Sequence, residues 1–163
     1  MPLFEHEYFE RSRSPDGKSL PIRSAAFLQR MGPVLQVVVS VTKEHAEKLA
    51  KQAQPVPEAV AGFALIDTGA SITAVDEGVC QKLGLAPTGV VTMSHAGGTE
   101  RRSCYPVQIV FPGTQLSPLA NPMVVSFKPV EAPQRYVLLF GRDLLRNLRM
   151  VDHGPAGRIE LAF

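Results

Sequence analysis

Apolar residues in this chain are gathered into short runs that are separated by turn-forming residues. The segment 34–41 is almost continuously apolar and rich in valine, and it follows Gly32-Pro33, so it predicts a strand buried on both faces. The runs 63–66 and 136–140 are similarly apolar and have the length of strands. Shorter or alternating apolar segments predict further strands at 22–30, 72–75, 88–95, 99–111, 123–127 and 158–163.

Three segments carry helix signals instead. Residues 43–53 follow a capping residue, Thr42, and show one narrow apolar stripe, which predicts a surface helix lying on the sheet. Asp76 is the predicted N-cap of a second helix, which Gly84 ends. Gly141 opens a third, short helix.

The predicted elements describe an all-β protein with a few short helices. A chain of 163 residues is long enough for one domain with a sizeable core, and its 14 prolines and 13 glycines fit a fold with many turns. Residues 1–32 mix acids, aromatics and bases, and we expect them to form an N-terminal arm or extension to a main domain at 33–163. Phe4, Tyr8 and Phe9 suggest that the arm packs on something that the sequence does not identify.

Charge and cysteine content narrow the classes of function. A net charge of +2 is too small to argue for binding nucleic acid or a membrane surface, and no apolar run approaches the ~20 residues that span a bilayer. The acidic start at 1–7 lacks the basic end and apolar core of a signal peptide. Cys80 and Cys104 do not make a disulfide framework, so we expect reduced thiols in the cytoplasm, with Cys80 as a small core residue. No zinc spacing or nucleotide-binding loop occurs, so no metal or cofactor is expected.

The candidate chemistry lies in the stretch Asp67-Thr68-Gly69-Ala70-Ser71, which follows the apolar run 63–66. Turn-forming residues come directly after the acid, and glycine lets the backbone pass close to another group. A carboxylate at the end of a rigid apolar strand is expected to be half-buried, and acid–base chemistry is possible in such a position. The alternative is a strand-end acid that only caps a turn. A second acid before a glycine, at 151–154, lacks Thr or Ser between the two and is predicted to be a structural loop.

The stretch 63–71 resembles the active-site signature of the aspartic proteases. A later segment, 136–145, has the form apolar-apolar-Gly-Arg-Asp-apolar-apolar and resembles the one that follows the last core strand in retropepsin-like (retroviral-type) proteases. The order and separation of the two segments also fit that family. The resemblance covers roughly residues 33–163, without the helix at 43–53, and it implies a closed β-barrel with one lobe per chain.

The resemblance implies a role for each residue of the two segments. Asp67 would be the catalytic general acid and base, Thr68 would brace the active-site turns through its hydroxyl, and Gly69 would present backbone to the substrate. Ala70 matches the retroviral variant and lacks the hydroxyl donor of pepsin-like enzymes, which implies a less acidic pH optimum. Gly141, Arg142 and Asp143 would support the site structurally without taking part in the chemistry.

A glycine-rich tip joins the strands predicted at 88–95 and 99–111. The resemblance implies that this tip is a flap that closes over the substrate, made of His95, Ala96, Gly97 and Gly98. The alternative is an ordinary tight hairpin turn, with His95 simply exposed beside it.

Aspartic proteolysis needs two carboxylates that face one water molecule. The chain offers one Asp-Thr-Gly turn, so the second carboxylate would be Asp67 of another copy in a C2 homodimer. The resemblance thus implies an aspartic endopeptidase that acts on a polypeptide substrate, with 158–163 in the dimer interface. Two alternatives stay open: a non-catalytic β-barrel that keeps the turn and binds a peptide or partner, and a structural dimerisation module within a larger assembly.

Overall fold

The computed structural model describes residues 3–13, 16, 18–95, 97–119, 123–128 and 136–162. The strands are β1 (Leu3–Glu7), β2 (Phe9–Arg13), β3 (Ser19–Arg23), β4 (Val34–Ser40), β5 (Val60–Ile66), β6 (Ala74–Asp76), β7 (Gly89–His95), β8 (Gly98–Pro106), β9 (Gln108–Val110), β10 (Met123–Phe127), β11 (Tyr136–Phe140), β12 (Arg149–His153) and β13 (Arg158–Ala162). The helices are α1 (Ala25–Met31), α2 (Lys43–Lys51), α3 (Glu77–Lys82) and α4 (Arg142–Leu145), and a 3-10 turn spans Gly154–Ala156. The described chain is mostly β, which confirms the predicted class.

The main sheet has eight strands in the order β7-β8-β10-β6-β11-β5-β4-β9. Its inner strands β5, β11 and β4 are the apolar runs of the sequence, because a strand with neighbours on both edges and cover on its faces is stabilised by apolar side chains. Pairings between described residues run from β7 at one end to β9 at the other. Closure of this sheet into a barrel stays a prediction.

Three strands of the main sheet reach the same edge. β5 and β11 are parallel neighbours, with Ile66 opposite Phe140, so residues 67–71 and 141–143 both begin at that edge. β4 runs antiparallel to β5 with Val34 opposite Leu65, which places the start of β4 there too. The fold therefore brings together the two segments that the sequence analysis singled out.

The described part of the first 32 residues belongs to the same core as the main sheet. Phe4, Tyr8 and Leu28 are buried in one cluster with the inward side chains of β4 and β11. The Tyr8 hydroxyl accepts a hydrogen bond of 2.5 Å from the backbone N–H of Val34, and burial raises the pKa of Tyr8 to about 12. Phe9, by contrast, is exposed. The segment thus packs on the main domain, and the boundary at residue 32 stays a prediction.

The strand predicted at 22–30 is wrong for most of its length. β3 ends at Arg23, and α1 follows at Ala25–Met31. The Ser24 side chain caps this helix by accepting from the Phe27 N–H at 3.0 Å, and Gly32 ends it with φ 68° and an N–H bonded to the Leu28 carbonyl. Local capping therefore outweighed the strand preference of the preceding residues.

The C-terminal strand lies between two strands of its own chain. β13 pairs antiparallel with β1 on one edge and with β12 on the other. Both backbone edges of 158–162 are therefore occupied, and a partner strand cannot add to β13 as the resemblance implied. The loop predicted at 151–154 is also corrected, because Val151–His153 belongs to β12.

The helices at 43 and 77 confirm the capping signals in the sequence. Thr42 accepts from the His45 N–H at 3.2 Å, and Asp76 accepts from the Gly78 N–H at 2.8 Å. α2 has no buried residue, as a surface helix should. Within the described ranges, no helix is long and apolar enough to cross a membrane.

Candidate active site

Asp67 lies at the first position after β5, where its backbone and its side chain are both held. Its N–H donates to the Phe140 carbonyl at 3.0 Å, which anchors the acid to β11. Its Oδ1 accepts from the N–H groups of Gly69 at 2.8 Å and Ala70 at 3.2 Å. The side chain thereby closes an Asx-type turn and is half-buried. Among the described residues nothing donates to Oδ2, so one carboxylate oxygen is fixed and the other can meet a second group.

The turn residues that follow Asp67 face solvent in this single chain. Thr68 and Gly69 are exposed, and the Thr68 hydroxyl has no hydrogen-bond partner in the described part of the chain. A Cβ added at Gly69 would lie 3.0 Å from Asp67 Oδ1, so a side chain there would disturb the carboxylate. The turn therefore presents a small backbone surface and a hydroxyl beside the acid.

Arg142 ties the second segment to this turn. Its Nη1 donates to the carbonyl of Thr68 at 2.8 Å and to that of Gly69 at 3.4 Å. Its backbone N–H donates to the Ala70 carbonyl at 2.9 Å. One residue thus binds three consecutive carbonyl oxygens of the turn, and this fixes the loop backbone on which the position of Asp67 depends.

A buried network joins the same two segments beneath the turn. Asp143 Oδ1 accepts from the N–H of Thr73 at 2.9 Å and from its hydroxyl at 2.8 Å, and Thr73 Oγ1 accepts from the Gly141 N–H at 3.0 Å. A Cβ added at Gly141 would lie 2.6 Å from the Ile72 carbonyl carbon, so only glycine fits this approach. The sequence analysis does not single out Thr73, which is 0% exposed in the structure. The available signal is that Thr73 is the one polar residue in the apolar segment 72–75, because a polar side chain buried in such a strand needs hydrogen-bond partners.

The hairpin β7–β8 stands next to the candidate site. Its register pairs His95 with Gly98, and Gly97 and Gly98 are exposed. Val91 and Met93 pack against the same small apolar cluster as Ile72, which follows the Asp67 turn. Ala96 and the side chain of His95 lie outside the described residues. The assignment of this hairpin as a flap stays a prediction.

The cysteines offer no nucleophile to this site. Cys80 and Cys104 are free and buried. Burial raises the pKa of the Cys80 thiol to about 12, which keeps it protonated and unreactive. In the described ranges, no group of three or more His, Cys, Asp or Glu side chains is arranged to hold a metal ion. Neither cysteine is therefore a candidate for the chemistry of this site.

Comparisons with known proteins find similarity among solved structures alone. No protein-family model and no curated protein matches the chain. Among solved structures, it is similar to a retropepsin-like aspartic protease from Rickettsia conorii, with 16% sequence identity and a TM-score of 0.44. The match covers 98% of this chain and 92% of that one. A likeness at this level does not show what this chain does.

Proposed function

We propose that this protein is an aspartic endopeptidase that works as a homodimer, with one Asp67 from each subunit. The observation that carries the proposal is the way Asp67 is held. Two backbone N–H groups fix Oδ1, and nothing among the described residues binds Oδ2. A carboxylate that serves only to cap a turn needs neither the anchoring of three turn carbonyls by Arg142 nor the buried network around Thr73.

The need for a second chain follows from the chemistry. A single carboxylate can take a proton from water, but it cannot at the same moment protonate the carbonyl oxygen of a peptide bond. Two carboxylates that face each other share one proton, because both cannot stay ionised at close range. The turn at Thr68 and Gly69 is exposed, and a two-fold axis through two such turns would bring the two Asp67 carboxylates together.

The reaction then proceeds by proton transfer alone. The ionised carboxylate takes a proton from the water molecule, and the water oxygen attacks the peptide carbonyl carbon. The protonated carboxyl gives its proton to the carbonyl oxygen. The tetrahedral gem-diol collapses when the carboxyl that holds the proton gives it to the peptide nitrogen, the C–N bond breaks, and one diol hydroxyl returns its proton to the other carboxylate as the carbonyl re-forms. The dyad ends with one proton, as it began, and the products are a carboxylic acid and an amine. The proposed substrate is an extended polypeptide that lies between the paired turns and the β7–β8 hairpins.

The deciding experiment is digestion of an unfolded protein from about pH 4 to pH 7 by wild type and Asp67→Asn. Glu58→Gln, which removes an exposed carboxylate from a loop, is the matched control. We expect cleavage by wild type and the control, and none by Asp67→Asn. Equal cleavage by all three would assign the activity to another group or a contaminant.

A mixing experiment tests the shared dyad. Excess Asp67→Asn chain, exchanged with wild type, should lower the activity per wild-type chain, because mixed dimers hold one carboxylate. If the activity per wild-type chain stays the same when the variant is added, one chain acts alone. No cleavage under any condition would favour the non-catalytic reading, a barrel that binds a peptide or a partner.

A further inference from the structure

A small apolar cavity of about 110 Å³ lies between the loop 111–119 and the segment that begins with β11 and α4. Most of the described residues that line it are apolar, namely Phe111, Leu116, Leu119, Phe140, Leu144 and Leu148. The two phenylalanines and Leu116 are buried, and the other three leucines are half-buried. Ser117 and Asn147, the polar residues of the lining, are exposed, so the cavity opens to solvent on their side.

Hydrogen bonds within the loop hold one wall of the cavity in place. The N–H groups of Ile109 and Leu119 donate to each other's carbonyls, at 3.1 Å and 2.9 Å, and close the neck of the loop. Inside the loop, the Thr114 hydroxyl donates to the Phe111 carbonyl at 2.9 Å. The same hydroxyl accepts from the Leu116 N–H at 3.1 Å. The loop therefore has a fixed shape, and its apolar side chains line a space that is already formed.

The opposite wall comes from β11 and the helical residues that follow it. Leu144 and Leu148 are four residues apart, so they lie on the same side of this segment. The ring of Phe140 meets that of Phe111 edge-on, with a centroid distance of 6.0 Å. Two phenyl rings and four leucine side chains thus surround the space.

The chemistry of this lining selects an aromatic occupant. A buried water molecule needs several polar partners, and the described side chains inside the cavity offer none. A slightly larger apolar cavity, of about 150 Å³, is known to bind benzene. A third ring can pack edge-to-face against the two phenyl rings already present. Because the cavity is open on one side, the ring can carry a substituent that stays in solvent.

We propose that this cavity is a binding site for a small molecule with a single aromatic ring, whose polar substituent lies at the mouth beside Ser117 and Asn147. This inference goes beyond the proposed protease function and does not depend on it. The alternative is a gap in the packing that holds no ligand. A direct binding measurement separates the two.

A ligand in this cavity contacts two residues that support the Asp67 turn. Phe140 lines the cavity with its ring, and its carbonyl accepts from the Asp67 N–H at 3.0 Å. Leu144 lines it with its side chain, and its N–H donates to Asp143 Oδ1 at 3.0 Å. A ligand that binds only the closed structure makes local opening rarer, so binding here slows hydrogen exchange at the Asp67 amide.

The test uses benzyl alcohol as the probe and NMR spectra of protein with labelled leucine methyl groups. We expect saturable shifts at the four lining leucines, with a dissociation constant of about 1 mM, and no such shifts with glycerol, which has no ring. Ser117→Trp covers the mouth with a large side chain and should weaken binding at least about tenfold. Gln115→Trp, at an exposed position of the same loop outside the cavity, should bind like wild type.

A second variant changes the binding in the opposite direction. Leu148→Ala enlarges the cavity, so it should bind 2-naphthalenemethanol, which is too large for wild type. Circular dichroism shows whether this variant is folded, and Ser117→Trp alters only an exposed position. At ten times the dissociation constant of benzyl alcohol, exchange of the Asp67 amide in wild type should slow by about tenfold.

Three results would overturn the site. Shifts that rise without saturation, or no shifts up to the solubility limit of the probe, would make the space a gap in the packing. Equal binding by wild type and Ser117→Trp would place the ligand elsewhere. Saturable binding with unchanged Asp67 exchange would contradict the link to the turn. None of these measurements uses peptidase activity, so failure of the protease proposal would leave their outcome unaffected.

Discussion

The hydroxyl of Thr73 and the carboxylate of Asp143 lie 2.8 Å apart, although 70 residues separate them in the sequence. The same hydroxyl accepts from the Gly141 N–H at 3.0 Å, so one threonine binds both the glycine and the acid of the second segment. These bonds lie under the Asp67 turn, and Thr73 itself is 0% exposed. Two sets of hydrogen bonds therefore hold the turn: those of Thr73 beneath it and those of Arg142 to its backbone carbonyls.

Thr73→Val tests this network with almost no change of shape. The hydroxyl is lost, and the buried N–H of Gly141 is left without its acceptor, so we expect the free energy of unfolding to fall by about 2–3 kcal/mol. Thr73→Ser keeps the hydroxyl and removes one methyl group, at a cost of about 1 kcal/mol. Urea unfolding of the three proteins measures both differences. If valine costs no more than serine, the network does not stabilise the fold.

Gly141→Ala tests the close approach of the two segments. The new Cβ would lie 2.6–2.8 Å from backbone atoms of Ile72 and Thr73, which cannot move aside without breaking β6 or the Asp67 turn. We expect a loss of about 3 kcal/mol or more in stability, together with loss of peptidase activity. The matched control is Gly89→Ala, where an added Cβ meets nothing within 4 Å. There the free energy of unfolding should change by at most about 0.5 kcal/mol. Similar thermal midpoints for the two variants would contradict this account.

The sequence predicts the parts of the site better than their contacts. The runs at 63–66 and 136–140 predict buried strands because such apolar runs, bounded by turn residues, favour the interior of a sheet. Asp67 is identified because it directly follows such a run, and Gly141-Arg142-Asp143 because the segment 136–145 resembles one in retropepsin-like proteases. Their pairing across the sheet, and the part that Thr73 plays, depend on parallel neighbours far apart in the chain, and no local periodicity encodes that.

Two segments towards the ends of the chain show a second reason why predictions from the sequence differ from the structure. The segment 22–30 contains strand-favouring residues before Ser24 and helix-favouring residues after it, and in seven residues the helix pattern is too short to read. The terminal strand β13 has the predicted alternation of buried and exposed residues, but its two partners, β1 and β12, come from opposite parts of the chain. Local capping decided the first case and tertiary packing the second.

Arg142→Ala should separate activity from stability. The side chain is exposed, so its loss should change the free energy of unfolding by no more than about 1 kcal/mol. Its hydrogen bonds to Thr68 and Gly69 hold the turn, and we expect peptidase activity to fall about tenfold or more, because small displacements of reacting groups are costly. Arg146→Ala, on the residue that ends the same helix, is the control. Faster amide exchange at Gly69 and Ala70 in Arg142→Ala provides a readout that does not depend on catalysis, and unchanged exchange would count against the bracing role.

His6 should weaken the fold in the acidic range where a shared-proton dyad works. Burial lowers the pKa of His6, whose ring packs edge-on against Tyr8 at a centroid distance of 4.7 Å. Above pH 6.5 the imidazole is neutral in both states, and as the pH falls below that value the unfolded chain takes up a proton that the folded chain resists. Stability should therefore fall from pH 6.5 downward, with a limiting slope of about 1.4 kcal/mol per pH unit for one proton. His6→Phe keeps the aromatic packing and should flatten the urea-unfolding profile between pH 7 and pH 5.5, whereas His45→Gln on α2 should follow wild type. Parallel profiles for all three proteins would show that a group other than His6 sets the loss of stability in acid.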